Sequence, residues 1–350
     1  MSRVQVITVS AEDANQRLDR WFKRMFPQIS QGHVEKMCRK GEIRVDGGRV
    51  KGSTRLTGGQ SVRVPPLPEG AHPAPSAPQR LSAADAAFIR SCVLYLDDHV
   101  IALNKPPGLA VQGGSGQSSR HVDGLAAALT FDLDEKPRLV HRLDKDTSGV
   151  LLMARTRSVA AALTASFRHR ETRKIYWAVV AGVPQPKRGT IRYALVKAAG
   201  RSVKGEGEKM IAVHPAEMDH VDGAKRATTE YTVLAQAGSR TCWAALVPVT
   251  GRTHQLRAHM AEIGHPIVGD GKYGGSGQEN LGDGWGAQLG GDISKKLHLH
   301  ARSLSLEHPV TKANLHLVAP LPDHMQRTWD TFQWRAGDVP VDPFDETPSG

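Results

Sequence analysis

A stretch of fourteen residues, PPLPEGAHPAPSAP (Pro65–Pro78), holds six prolines and cuts the chain in two. Proline has no backbone donor and holds φ near about −65°, so a run this dense enters neither helix nor sheet and acts as an extended spacer. The expected layout is a small module over 1–64, a linker over 65–85, a large domain over 86–335 and a flexible Pro/Asp-rich tail over 336–350.

Charge is uneven across that boundary. In the whole chain of 350 residues, 46 Lys+Arg oppose 35 Asp+Glu, a net +11. Residues 1–64 carry thirteen of the basic residues against six acidic ones, a net +7. Such an excess favours a polyanionic partner. No apolar run approaches the ~20 residues of a membrane span, and the N-terminus lacks the apolar stretch of a signal peptide. The expectation is therefore a soluble, cytoplasmic protein that does not engage a membrane. Three scattered cysteines, Cys38, Cys92 and Cys242, support neither a disulfide framework nor a cysteine zinc site.

The first module reads helix, helix, hairpin. Leu18, Trp21, Phe22 and Met25 form one apolar stripe, ended by Pro27. Ser30 is placed to cap a second helix with Val34, Met37 and Cys38 inward and Gly41 past its end. IRVDGGRV (Ile43–Val50) then alternates around Asp46-Gly47-Gly48, a hairpin signal. Arg17, Arg20, Lys36, Arg39, Lys40 and Arg44 fall beside these apolar positions. Singly, each fits a solvated helix face; as a group on about sixty residues they are candidates for phosphate contacts. The order RLDRW, SQGHVEKMCRKGEIRVDG, GGQSVRVP resembles the S4 RNA-binding domain. The resemblance implies structured RNA, without saying what is done to it.

The large domain shows strand-like runs at Val93–Gly108, Val150–Ala154, Lys174–Gly182, Glu230–Ala235 and Cys242–Val249, without regular helical crossovers. The pattern predicts an α+β fold with a mainly antiparallel sheet, not a doubly wound nucleotide fold. GxxxxGK[ST], HExxH and GxSxG are absent and no GxGxxG opens a helix, so nucleotide hydrolysis, dinucleotide chemistry and serine acyl transfer lack their usual signals.

Two constellations stand out. LVHRLDKDTSGVLL (Leu139–Leu152) sets Asp144 among cations that favour its ionised form and could steer a phosphate toward it. The same residues equally suit a polar turn in which Asp146, Thr147 and Ser148 satisfy backbone donors. VTGRTHQLRAHMAEIGHPIVGD (Val249–Asp270) predicts a helix burying Leu256, Met260 and Ile263, with Arg252, His254, Arg257 and His259 as its polar remainder. That remainder reads as a site or as a solvated basic face. His254 and His259 stand five apart, the wrong spacing for a helical zinc pair, so no metal site is expected.

NKPPGLAVQGG, HRLDKDTSG, KIYWAVVAG, KRATTEY, TGRTHQLRAHM, GHPIVGD and LHLHARSLSLEHP occur in the order seen in the RluA family of RNA pseudouridine synthases, which this chain resembles over nearly all of 90–322. Two glycine-rich excursions, around 200–223 and 274–291, fall outside these motifs and read as surface loops. The resemblance implies an isomerase that needs no cofactor and no nucleotide. It implies Asp144 as the essential carboxylate, Arg257 as the cation holding it, and Tyr176 stacking on the uracil and helping remove the C5 proton. Arg142 would fill the space left by a flipped base, and His141 and Arg252 would shape the pocket or touch phosphate. RKGEIRVDGGRVKG and the RVPPLP exit look most like the RluC-type branch, whose partner is large-subunit (23S) ribosomal RNA, free or in a pre-ribosomal particle. An RluD-type or transfer-RNA target, or a non-catalytic RNA-binding or ribosome-assembly factor, are the competing expectations. Nothing in the pattern demands more than a monomer.

Overall fold

The computed structural model describes residues 4–67, 81–113, 120–169, 171–198, 209–274 and 293–345. The chain divides into two units, 1–80 and 81–350. Most of the proline-rich spacer lies outside the described residues.

In the N-terminal unit, helices Leu18–Met25 and Gln31–Lys40 pack on a four-stranded antiparallel sheet in the order Gln5–Thr8, Ser61–Val64, Arg44–Val45, Gly48–Arg49. Leu18, Trp21, Phe22, Val34, Met37 and Cys38 are buried together with Ile43 and Val62. Met25, expected in the same stripe, is exposed: the helix ends there, and Phe26, the residue after it, packs against the core instead. Ser30 accepts from the His33 N–H, and Gly41, at φ 74°, closes the second helix in the left-handed region that glycine enters without strain. The hairpin turn takes positive φ at both Asp46 and Gly47. Asp46 tolerates this because its carboxylate is fixed, accepting from Ser61 N at 2.8 Å and Gln60 Nε2 at 3.0 Å.

Among the described residues, the large unit is built on a ten-stranded sheet whose main path runs Arg188–Ile191, Thr229–Ala237, Thr241–Pro248, Arg173–Ala181, Leu299–Glu307, Ser148–Ala154, Val100–Lys105, Val93–Leu96. The pairings are antiparallel except between Leu299–Glu307 and Ser148–Ala154. The alternation read in KIYWAVVAG sorts the two faces of the central strand. Ile175, Trp177 and Val179 join Trp243, Met325 and Trp329 under the helix Asp323–Thr331. Tyr176, Ala178 and Val180 face the opposite way, toward Leu246, Leu256 and Met260 of the helix Gln255–Glu262.

Three sequence-based boundaries need correction. The helix Ala83–Ser91 starts inside the expected linker, because Ser82 caps it by accepting from Asp85 N at 3.0 Å. The expected flexible tail is docked as far as Asp345: Asp342 accepts two hydrogen bonds from Arg173, at 2.7 and 3.0 Å, and Phe344 is buried in the tryptophan cluster. The first glycine-rich excursion contains a strand, Met210–Val213, paired with Ala194–Lys197, so it is not a plain loop. The second excursion falls mainly outside the described residues.

Three buried histidines and a half-buried one, His141, make the fold acid-sensitive. Burial lowers the pKa of His298 and His259 to about 4 and that of His141 and His300 to about 3. Unfolded histidine titrates near about 6.5, so the unfolded chain takes up protons first as pH falls. Stability is therefore full above about pH 6.5 and is lost progressively below it, by several kcal/mol in total, on the order of 1.4 kcal/mol per histidine per pH unit. Thermal melts between pH 7 and 5 should show a steep fall in Tm; a flat profile would contradict neutral burial of these rings.

Candidate active site

The loop 141–147 enters the strand Ser148–Ala154 and is held from below. Lys105, fully buried at the end of its strand, donates from Nζ to the carbonyl oxygens of Pro106, Leu109 and Lys145 at 2.9–3.0 Å. Burial pulls its pKa down to about 7, opposed by the charges of Asp146 and Asp144. Gly108 N also donates to Lys145 O, at 2.9 Å. On the far side, Gly149 sits at φ 108° against Ala301, where a Cβ would collide with the backbone. The polar-turn reading therefore accounts for only part of this segment: the loop is clamped at Lys145, next to Asp144.

Asp144 is withdrawn from water, its side chain 18% exposed. Two groups of the GRTHQLR segment face it, His254 Nε2 at 3.8 Å and Arg257 Nη1 at 3.7 Å. Arg257, the cation that the resemblance sets beside Asp144, does face it, but not as its nearest partner. Its closer partner is Asp270, also buried, which accepts from Nε and Nη2, each at 2.7 Å, and additionally from the backbone N–H groups of Lys272 and Tyr273. Burial works against the guanidinium charge, but Asp270 and Asp144 outweigh it and hold its pKa above the usual value. The cation facing Asp144 is thus pinned from behind by a second carboxylate.

The helix Gln255–Glu262 is not a solvated basic face. Gln255, Arg257 and His259 are buried with its apolar residues. Gln255 explains how: Oε1 accepts from Thr250 Oγ1 at 2.6 Å and Arg252 N at 3.1 Å, while Nε2 donates to Thr228 O at 2.8 Å. His254, before the helix, takes the left-handed conformation at φ 51°, a strained choice for a non-glycine residue. Its Nδ1 meets the Tyr273 hydroxyl at 3.0 Å. Burial pushes that phenol up to about 12, so it stays protonated and can donate to Nδ1. Burial also lowers the His254 pKa, and the neutral ring then directs Nε2–H at Asp144.

Asp144 opens into a cavity of about 310 Å³ lined also by Arg142, Tyr176, Lys174, His141, Arg252 and Arg257, at the lower end of small-molecule pockets. The six large-domain residues singled out from the sequence therefore meet in one place. Arg142 is exposed at the mouth. Arg252 is exposed too and donates from Nε to Arg226 O at 3.2 Å. Burial, and then Asp144, push the Tyr176 phenol well above its usual range. This counts against a tyrosinate base for the C5 proton and leaves the ring face as its contribution. His141 is a neutral wall: Nε2 accepts from Leu152 N at 2.8 Å, and the ring packs on Phe167 at 4.6 Å. It brings no positive charge to a phosphate.

The six basic residues of the N-terminal unit differ in availability. Arg20, Lys36 and Arg39 are exposed, and Lys40 lies 3.6 Å from Glu42. Arg44 donates to the carbonyls of Gly41 and Gly47, and Arg17 is paired with buried Asp19. That pairing takes up much of the hydrogen-bonding capacity expected for RNA. Sequence reasoning missed Asp270, Lys105, Tyr273 and the orientation of His254. Asp270 and Lys105 lie in motifs already singled out, GHPIVGD and NKPPG, but only the fold brings them beneath Asp144.

The RNA pseudouridylate synthase family model matches residues 99–262, and the S4 domain model matches 16–62. The chain is 34% identical over 329 residues to a Vibrio cholerae protein named ribosomal large subunit pseudouridine synthase C, covering 93% of this chain and 96% of that protein. A Yersinia pestis protein of the same name is 35% identical over 326 residues, covering 92% and 94%. Among solved structures, human RNA pseudouridylate synthase domain containing 4 matches with a TM-score of 0.54 at 30% identity, over 71% of this chain and 95% of that one. Among the described residues no helix is long and apolar enough to cross a membrane.

Proposed function

The chain belongs to the RluA family of RNA pseudouridine synthases, and from that premise we propose that it isomerises particular uridines of large-subunit (23S) ribosomal RNA, acting in the cytoplasm. The observation that carries the reading is the Asp144 carboxylate inside a nucleoside-sized cavity, faced by His254 and by an Arg257 locked to Asp270. The reaction breaks the N1–C1′ bond, turns the uracil in place, joins C5 to C1′ and releases the C5 proton to solvent. Electrons balance with no oxidant or reductant. A uridine stacked in folded RNA cannot reach Asp144, so it is flipped out at a cost of a few kcal/mol. Arg142, at the mouth, supplies a planar guanidinium to stack where the base was. Tyr176 offers its ring face to the uracil. Asp144 acts on the uridine directly, oriented by the fixed donors around it.

Incubating the chain with 23S transcript labelled with tritium at uracil C5 should release tritium stoichiometrically with pseudouridine, and transfer-RNA transcripts should release none. Release from transfer RNA alone would move the substrate to that class. Deleting 1–80 should weaken binding and flatten its salt dependence, by roughly 0.7–0.9 in the log–log slope for each phosphate no longer neutralised. An unchanged slope would remove the N-terminal unit as an RNA grip.

A further inference from the structure

Among the described residues, three cations of the cavity wall, Arg142, Arg252 and Lys174, face no carboxylate, and of these only Lys174 is half-buried rather than exposed. Lys174 stands two residues before Tyr176 on the strand Arg173–Ala181, so both side chains leave the same face of the sheet and line the same cavity. Its Nζ lies 4.5 Å from the centroid of the Phe167 ring, whose own packing against His141 completes that wall. Among the described residues, the Lys174 side chain makes no hydrogen bond or ion pair. Burial alone accounts for its pKa falling to about 8, with no carboxylate close enough to register. Asp144 is engaged elsewhere, by His254 and Arg257. An aromatic face compensates a desolvated ammonium only in part.

Resting on the reading above, we propose that Lys174 binds a backbone phosphate of the substrate RNA beside the flipped uridine, and so positions the nucleoside over Asp144. A phosphate is the group that fits. Uracil carbonyls carry only partial charge and are served by neutral donors, whereas a full, partly desolvated positive charge is matched by a full negative one. The phosphates are the only formal charges the RNA brings. Phe167 beneath the ammonium limits its swing and leaves Nζ facing the cavity. Lys174 is thereby a positioning residue, not a reacting one.

The test uses the full chain, unmodified 23S transcript and a series of salt concentrations. Lys174→Met is expected to raise KM about tenfold with a smaller change in kcat. The log–log salt slope of binding should drop by roughly 0.7–0.9, the signature of a single phosphate left without its cation. Lys174→Arg should restore both. Should Lys174→Met fold poorly, Lys174→Gln removes the charge while keeping a polar tip, and its slope decides the matter. A neutral variant with wild-type KM and slope, or one losing only kcat, overturns the proposal. The failures are separable: a wild-type chain that makes no pseudouridine sinks the isomerase reading, while a normal enzyme indifferent to Lys174 sinks this inference alone.

Discussion

Asp144→Asn is expected to lower turnover by at least about 10³-fold while RNA affinity stays within a few-fold of wild type. Asparagine preserves the shape of the side chain but removes the charge that faces His254 Nε2 and Arg257 Nη1. Both groups are fixed independently, His254 through Tyr273 and Arg257 through Asp270, so the pocket keeps its form without the carboxylate. Single-turnover tritium release and filter binding on the same preparation separate the two effects. A variant retaining even about a tenth of wild-type turnover would remove Asp144 from the chemistry.

Asp270→Asn should be costly in a different way. Arg257 would lose a bidentate partner in a site where both side chains are buried, and the amide would turn an N–H₂ toward the guanidinium or toward the backbone donors of Lys272 and Tyr273. Breaking one half of a buried pair costs about 3–5 kcal/mol, because the remaining charge is left uncompensated. The urea midpoint should fall accordingly. In the surviving folded protein kcat should drop by about 10²-fold, the scale of a 1 Å misplacement of a positioned group. Stability loss with full kcat would mean that Arg257 needs no support from behind to serve Asp144.

The two predictions differ in how far the sequence anticipates them. HRLDKDTSG and GRTHQLR mark Asp144 and Arg257 through the family resemblance, while their chemistry alone leaves a polar turn and a solvated basic face open. The alternating run KIYWAVVAG assigns Tyr176 to the face opposite Trp177, and the sheet keeps that division. Asp270 is illegible as a partner because it contacts Arg257 through a turn beyond the helix, and spacing along the chain says nothing about such a closure. Lys105 reads as an ordinary residue before a Pro-Pro breaker; only the crossing of two loops delivers three carbonyls to its Nζ. The helix Gln255–Glu262 misleads for a related reason. It is buried on several sides, with its polar residues satisfied inside the protein, so no clean apolar stripe distinguishes it from a surface helix. At the C-terminus, Phe344 and Asp342 dock as isolated anchors among prolines and aspartates, and no periodic pattern betrays anchors of that kind.

Asp144 is proposed to remake a nucleoside bond in large-subunit ribosomal RNA. Pseudouridine mapping of 23S RNA tests this most directly, comparing cells with the gene, cells without it, and deleted cells supplied with either the wild-type chain or Asp144→Asn. The predicted result is one or more pseudouridines that vanish on deletion, return with the wild-type chain and stay absent with the variant. An identical map in all four strains would contradict it.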